Sequence, residues 1–159
     1  MAPDFIHNPK YNDIQLTDHF KLSEFRCRCG DKPSTRIYYC GGGVIVPPND
    51  FLIALEKLRS LVGMVLISSA YRCYHWNKFV GGEPKSYHTQ FNMRFSKYGA
   101  ADLFFPEYDK QFKGTDSYWL TLRQVIQDSG FTGIIQYKIA GHCHCDCRPT
   151  PYFEFKNKK

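Results

Sequence analysis

Three side chains near the C-terminal end have the types and spacing to do chemistry together. They are His142, His144 and Asp146, within Gly141-His142-Cys143-His144-Cys145-Asp146-Cys147-Arg148. A strand has a side-chain period of two, so a strand here projects these three from one face and Cys143, Cys145 and Cys147 from the other. Imidazole and carboxylate are zinc ligands and proton-transfer groups. The three thiols are small and suit a core. A His-x-His pair alone is a common accident, so the test is whether the chain supplies further ligands. A catalytic zinc needs three protein ligands and one open position. The candidates are His88 in Ser86-Tyr87-His88 and Asp102 in Tyr98-Gly99-Ala100-Ala101-Asp102.

The elements that would position these residues follow from pattern. Asn49 or Asp50 is predicted to cap a helix running to about Val62, with Phe51, Leu52, Leu55, Leu58 and Leu61 at helical spacing. Thr17–Phe25 reads as a short helix and 26–48 as an irregular loop holding Cys27, Cys29, Cys40 and Gly41-Gly42-Gly43. Strands are expected at Met64–Ser68, Ala100–Phe105, Ile134–Lys138, Cys143–Cys147 and Tyr152–Phe155. Cys73–Phe79 and Asp116–Gln127 read as further helices, ended by Gly81-Gly82 and by Gly130. Segregated helices and hairpin-like strands give an α+β class, a small antiparallel sheet with helices packed on one side. Residues 1–159 are expected to form a single domain, with 1–16 as an N-terminal arm.

Composition narrows the function classes. The 159 residues are 43% hydrophobic and 23% charged, ordinary for a globular domain able to bury a core without disulfides. Aromatic content is 16%, suited to a core or to a groove for a polymer. The net charge of +6 suits an anionic partner such as bacterial cell wall, but no basic stripe or motif supports nucleic-acid binding. No segment approaches the ~18 apolar residues of a membrane span, and Met1–Lys10 lacks a secretory core. The expectation is synthesis in the cytoplasm without a signal peptide, with action there or at the cell wall. Seven cysteines cannot all pair with one another, which favours a reducing compartment.

Ser-x-His, then Ala-Ala-Asp opening a strand, then His-x-His, resembles one zinc peptidase superfamily. It includes D-alanyl-D-alanine carboxypeptidases, phage L-alanyl-D-glutamate endolysins and the hedgehog signalling domain. The small phage and bacterial branch is similar in further pieces: Phe20-Lys21-Leu22-Ser23-Glu24-Phe25, Ile67-Ser68-Ser69-Ala70-Tyr71-Arg72-Cys73, Asn77, Val80-Gly81-Gly82 and Gly133-Ile134-Ile135-Gln136-Tyr137. The resemblance spans roughly residues 19–148. It implies a zinc peptidase of cell-wall peptide, acting as a monomer, with His88, Asp102 and His144 as zinc ligands. It makes His142 the general base or an oxyanion partner, with Asp146 in reserve. Arg72 would offer a cationic fork to a substrate carboxylate or to the tetrahedral intermediate, and Ser86 and Tyr71 would touch substrate.

Two departures from the family pattern stand out. A longer stretch, Thr89 to Ala101, separates His88 from Asp102, and its Phe91, Met93, Arg94, Phe95 and Tyr98 could shape a groove. Where many relatives carry an acid three residues before the last His, this chain has Gly141. The rival readings are a zinc-containing binding module and a virion structural protein of the same fold. Cys27, Cys29, Cys40 and Cys73 admit three readings: buried thiols, disulfides or a structural metal site.

Overall fold

A computed structural model describes residues 5–6, 14–31, 40–89 and 98–157. A five-stranded sheet organises the molecule, in the order β3 (Leu66–Ser69), β4 (Ala100–Phe104), β6 (His142–Asp146), β5 (Gly133–Tyr137), β7 (Tyr152–Lys156). Neighbours are antiparallel except β5 and β7, which run parallel. The expected antiparallel sheet thus carries one parallel pair at its edge, because β7 returns beside β5 rather than β6. Phe5–Ile6 (β1) and Val44–Ile45 (β2) pair as a separate two-stranded ladder. Most of the expected arm and the residues Phe91, Met93, Arg94 and Phe95 lie outside the described residues.

The sheet has two unlike faces. Ile67, Ala101, Leu103, Ile134, Cys143 and Cys145 belong to the apolar core. Two helices cover them: α1 (Asn49–Val62) with Phe51, Leu55, Leu58 and Val62, and α4 (Tyr118–Asp128) with Tyr118, Leu122 and Ile126. Full burial of such an aliphatic side chain is worth about 1.5–3 kcal/mol, so the α1 stripe alone is a large share of the core's stabilisation. The stripe runs 51, 55, 58, 62, one residue per helical turn. Leu61, expected on it, is out of phase and 53% exposed. Pro48 caps α1 in place of Asn49 or Asp50, and Asp50 instead sits in the first turn, where its charge suits the helix dipole. The helix stops at Gly63, whose φ of +78° favours glycine.

Three further elements complete the frame. The helix expected over Thr17–Phe25 is only a 3-10 turn, Leu22–Phe25, because Leu22 N–H bonds back to Ile14 O and Leu16 N–H to Phe20 O instead of continuing a helical ladder. A second 3-10 turn covers Arg28–Asp31. The helix α2 (Tyr74–Phe79) starts after Cys73, and α3 (Pro106–Phe112), unforeseen in the sequence, follows β4 directly. No described helix is long and apolar enough to cross a membrane.

Candidate metal centre

The central ladder assembles the site by register. Asp102 of β4 pairs with His144 of β6, on the sheet face opposite the core. Asp146 follows on the same face, while Cys143 and Cys145 point into the core, as the period of two requires. β3 carries an irregularity between Ile67 and Ser69 where it pairs with β4 at Asp102, and Ser68 Oγ donates to Asp102 O at 3.1 Å. Bulges of this kind re-aim side chains beside functional sites. Here Ser69 Oγ receives Arg72 Nε–H at 2.8 Å.

His88 comes from the loop after α2 and is locked from three sides. Ser86 Oγ accepts its backbone N–H at 3.3 Å, Arg72 N–H donates to its carbonyl at 2.7 Å, and its ring Nδ1 meets Ala70 O at 2.6 Å. A carbonyl only accepts, so Nδ1 carries the proton and Nε2 presents a lone pair. Asn77 and Gly82 shape this loop: Asn77 is buried, its Nδ2 donates to Glu83 O at 2.8 Å, and a Cβ at Gly82 would overlap its side chain.

His88 Nε2, Asp102 Oδ1 and His144 Nδ1 converge despite the long stretch between the first two. The two ring nitrogens are 2.8 Å apart, and Asp102 Oδ1 lies 3.2 Å from His88 Nε2 and 3.3 Å from His144 Nδ1. All three side chains are buried. On the far side of the His144 ring, Nε2 is 2.8 Å from Asp146 Oδ2. Burial opposes the charge on Asp146, but Arg148 and His144 outweigh it and hold the carboxyl well below its ordinary range. The ionised Asp146 therefore accepts from His144 Nε2–H, which leaves a lone pair on Nδ1. Two lone pairs and a carboxylate oxygen facing one another repel unless a cation joins them. The donor set, two neutral imidazoles and one carboxylate, is one that catalytic zinc takes.

The groups behind these three side chains fix their orientation, an arrangement that metal sites use. Arg72 Nη2 donates to Asp102 Oδ2, leaving Oδ1 for the centre. Asp146 is fully buried, and Arg148 donates to it from Nε at 2.8 Å, from Nη2 and from its backbone N–H at 3.0 Å. The Arg148 guanidinium lies between the Tyr87 and Tyr152 rings, 4.6 and 4.8 Å from their centroids. Gly133 pairs with Asp146 across the ladder, and a Cβ there would fall 2.1 Å from Asp146 Oδ1. The glycine makes room for the Asp146–Arg148 pair. The sequence offers Asp146 as a group that orients a histidine or Arg148, and it pairs with both; the room that Gly133 makes has no signal in the sequence.

The electrostatics suit a cation-binding donor set. Burial drives His88 toward its neutral form. For Asp102, burial is outweighed by His88 and His144, and the carboxyl stays ionised well below its ordinary range. His144 is buried too, yet the Asp102 and Asp146 carboxylates raise its affinity for a proton.

The remaining expected residues fall in three places. His142 begins β6 on the site face, half-buried, its ring stacked on Tyr137 at 4.6 Å and 5.4 Å from the Phe104 ring. Burial shifts it toward the neutral form. Ser86 holds the loop of His88 through its Oγ. Tyr71, expected to touch substrate, has no exposed surface and packs with Cys27, Cys29, Cys73 and Trp76.

A family model described as Peptidase M15 matches residues 18–146, which contain His88, Asp102, His142, His144 and Asp146. No curated protein and no solved structure matches the chain. The match covers most of the chain and all three residues of the centre, and the chain belongs to the Peptidase M15 family of zinc D-alanyl-D-alanine carboxypeptidases and their relatives.

Proposed function

We propose that this protein is a zinc peptidase that cleaves an amide bond involving a D-amino acid in bacterial cell-wall peptide, as a carboxypeptidase or an endolysin-type endopeptidase. The observation that carries the reading is the convergence of His88 Nε2, Asp102 Oδ1 and His144 Nδ1, each oriented from behind by a separate partner. Zinc held there supplies Lewis-acid polarisation of the scissile carbonyl and acidification of a water molecule near neutral pH. The residues of the chain do the rest. His88 and His144 present lone pairs because Ala70 O and Asp146 hold their other nitrogens as N–H. Arg72 positions Asp102 and adds positive charge beside it. His142, on the same face two residues before His144, is kept neutral by burial and is the group assigned to take the proton from water and pass it to the leaving amine. Asp146, with both oxygens engaged by His144 and Arg148, serves as an orienting group.

A shallow cleft lined by Tyr87, Arg148, Pro149, Thr150, Pro151 and Tyr152 lies behind Asp146, and none of His88, Asp102, His142 and His144 lines it. The test is incubation of the zinc-loaded protein with defined muropeptides, followed by mass spectrometry of the products. Loss of a terminal D-alanine assigns a carboxypeptidase; cleavage between L-alanine and D-glutamate assigns the endolysin type. A zinc-loaded protein that leaves every such peptide intact contradicts the proposal and favours a binding module.

A further inference from the structure

A second cluster lies outside the sheet. Cys27 follows the first 3-10 turn, Cys29 lies in the second, Cys40 precedes the Gly41-Gly42 turn and Cys73 caps α2. Their four sulfurs, drawn from three separate stretches of chain, all lie within 4.8 Å of one another. Cys29 and Cys40 Sγ are 3.5 Å apart, and the backbone N–H of Cys73 donates to Cys27 Sγ at 3.3 Å. Ile45, Tyr71 and Trp76 pack around them.

The spacing discriminates between the readings of these cysteines. A disulfide draws two sulfurs to about 2.05 Å, well inside the 3.5 Å between Cys29 and Cys40. Thiols that merely fill a core have no reason to point at one another; Cys143 and Cys145, for comparison, pack among apolar side chains. Tetrahedral zinc with Zn–S bonds of about 2.3 Å sets its sulfurs about 3.8 Å apart, the scale of this cluster. An N–H donated to sulfur is the kind of contact that stabilises a metal-bound thiolate.

We propose that Cys27, Cys29, Cys40 and Cys73 form a closed tetrathiolate site for a structural zinc ion, distinct from the His88–Asp102–His144 centre. The site ties the described residues 26–31 and 40–43 to the start of α2. Cys73 is the neighbour of Arg72, which holds Asp102, and two residues before Arg72 lies Ala70, whose carbonyl holds the His88 ring. The clamp thus fixes the short segment that orients two of the three ligands of the other centre. Its metal would act as a positioning element, touching neither substrate nor the reacting atoms.

The test is reconstitution of the full-length protein with cobalt(II), read by metal content and absorption. The expected result is two metal ions per chain, one for each group of ligands, with an intense sulfur-to-cobalt charge-transfer band and tetrahedral ligand-field bands. His88→Ala should keep one ion and the full sulfur band. Cys29→Ser should lose that band and one ion. Because Cys29→Ser can also fail to fold, wild type and His88→Ala decide the matter between them. Absence of a sulfur band in both, with the four thiols open to a thiol reagent in the folded protein, overturns the proposal. So does paired-cysteine mass in protein isolated under reducing conditions. None of these readouts uses peptidase activity, so the outcome is independent of the function proposed above.

Discussion

The two clusters of this molecule are built in opposite ways. Two of the three residues of the His88–Asp102–His144 centre stand on β4 and β6, where ladder register places Asp102 opposite His144, and backbone bonds lock the loop of His88 beside them. The four-cysteine cluster stands on 3-10 turns, a glycine bend and a helix cap, joined among the described residues by backbone bonds such as Cys27 N–H to Gly43 O at 2.9 Å. A site on paired strands is pre-formed and costs little to order; a site on irregular chain relies on its ligand to close it. The first arrangement suits a centre that must keep an open position for chemistry. The second suits a clamp that is closed on all sides.

The largest expected effect breaks the first cluster directly. His144→Ala removes one ligand and leaves Asp146 held by Arg148 alone, so metal content at this centre and hydrolysis should both vanish while circular dichroism stays native, because the ladder does not depend on the ring. Metal retained at the centre would refute the ligand assignment. His142→Ala should leave metal content unchanged and lower turnover by about 10²–10⁴-fold, the usual worth of a general base. Unchanged turnover would move that role elsewhere on the site face.

Smaller effects separate the ligands from their supports. Arg148→Ala leaves the Asp146 carboxylate buried without its cation and should weaken metal affinity by roughly 10–100-fold, as loss of an orienting partner does. Competition titration with a zinc chelator measures it, and no change would mean that His144 is oriented without Asp146. Acidity should act in the same direction. The Asp102 and Asp146 carboxylates raise the proton affinity of His144, so protons compete with metal there, and affinity should fall as pH drops through the imidazole range. His142, shifted the other way by burial, should stay neutral to lower pH than an ordinary histidine of 6.5. Gly133→Ala, which crowds Asp146, should cost about 1–3 kcal/mol in urea unfolding, the range for overpacking.

Much of this plan was legible in the residues. The alternation of His142 to Cys147 gave the two faces of β6 because a strand's period of two leaves no other choice, and the α1 stripe followed from helical spacing. The helix α3 was missed although Pro106 stands at its first turn, a favoured position. Its apolar signal is short, and it follows β4 without a turn. The helix expected over Thr17–Phe25 failed for the opposite reason: local pattern favoured it, but backbone bonds to Ile14 won. The burial of Tyr71, the room that Gly133 leaves for Asp146 and the convergence of Cys27 with Cys73 depend on segments distant in sequence. No local spacing reports such contacts.

The central claim is that this centre is a working zinc peptidase site. The most direct measurement follows release of peptide amines from purified peptidoglycan, with the centre's metal content tracked alongside, before chelation, after it and after zinc is restored. The account predicts hydrolysis that disappears with the metal at the His88–Asp102–His144 centre and returns with it, in wild type but not in His144→Ala. Hydrolysis that persists after that metal is gone, or zinc bound there without hydrolysis of any wall preparation, would contradict it.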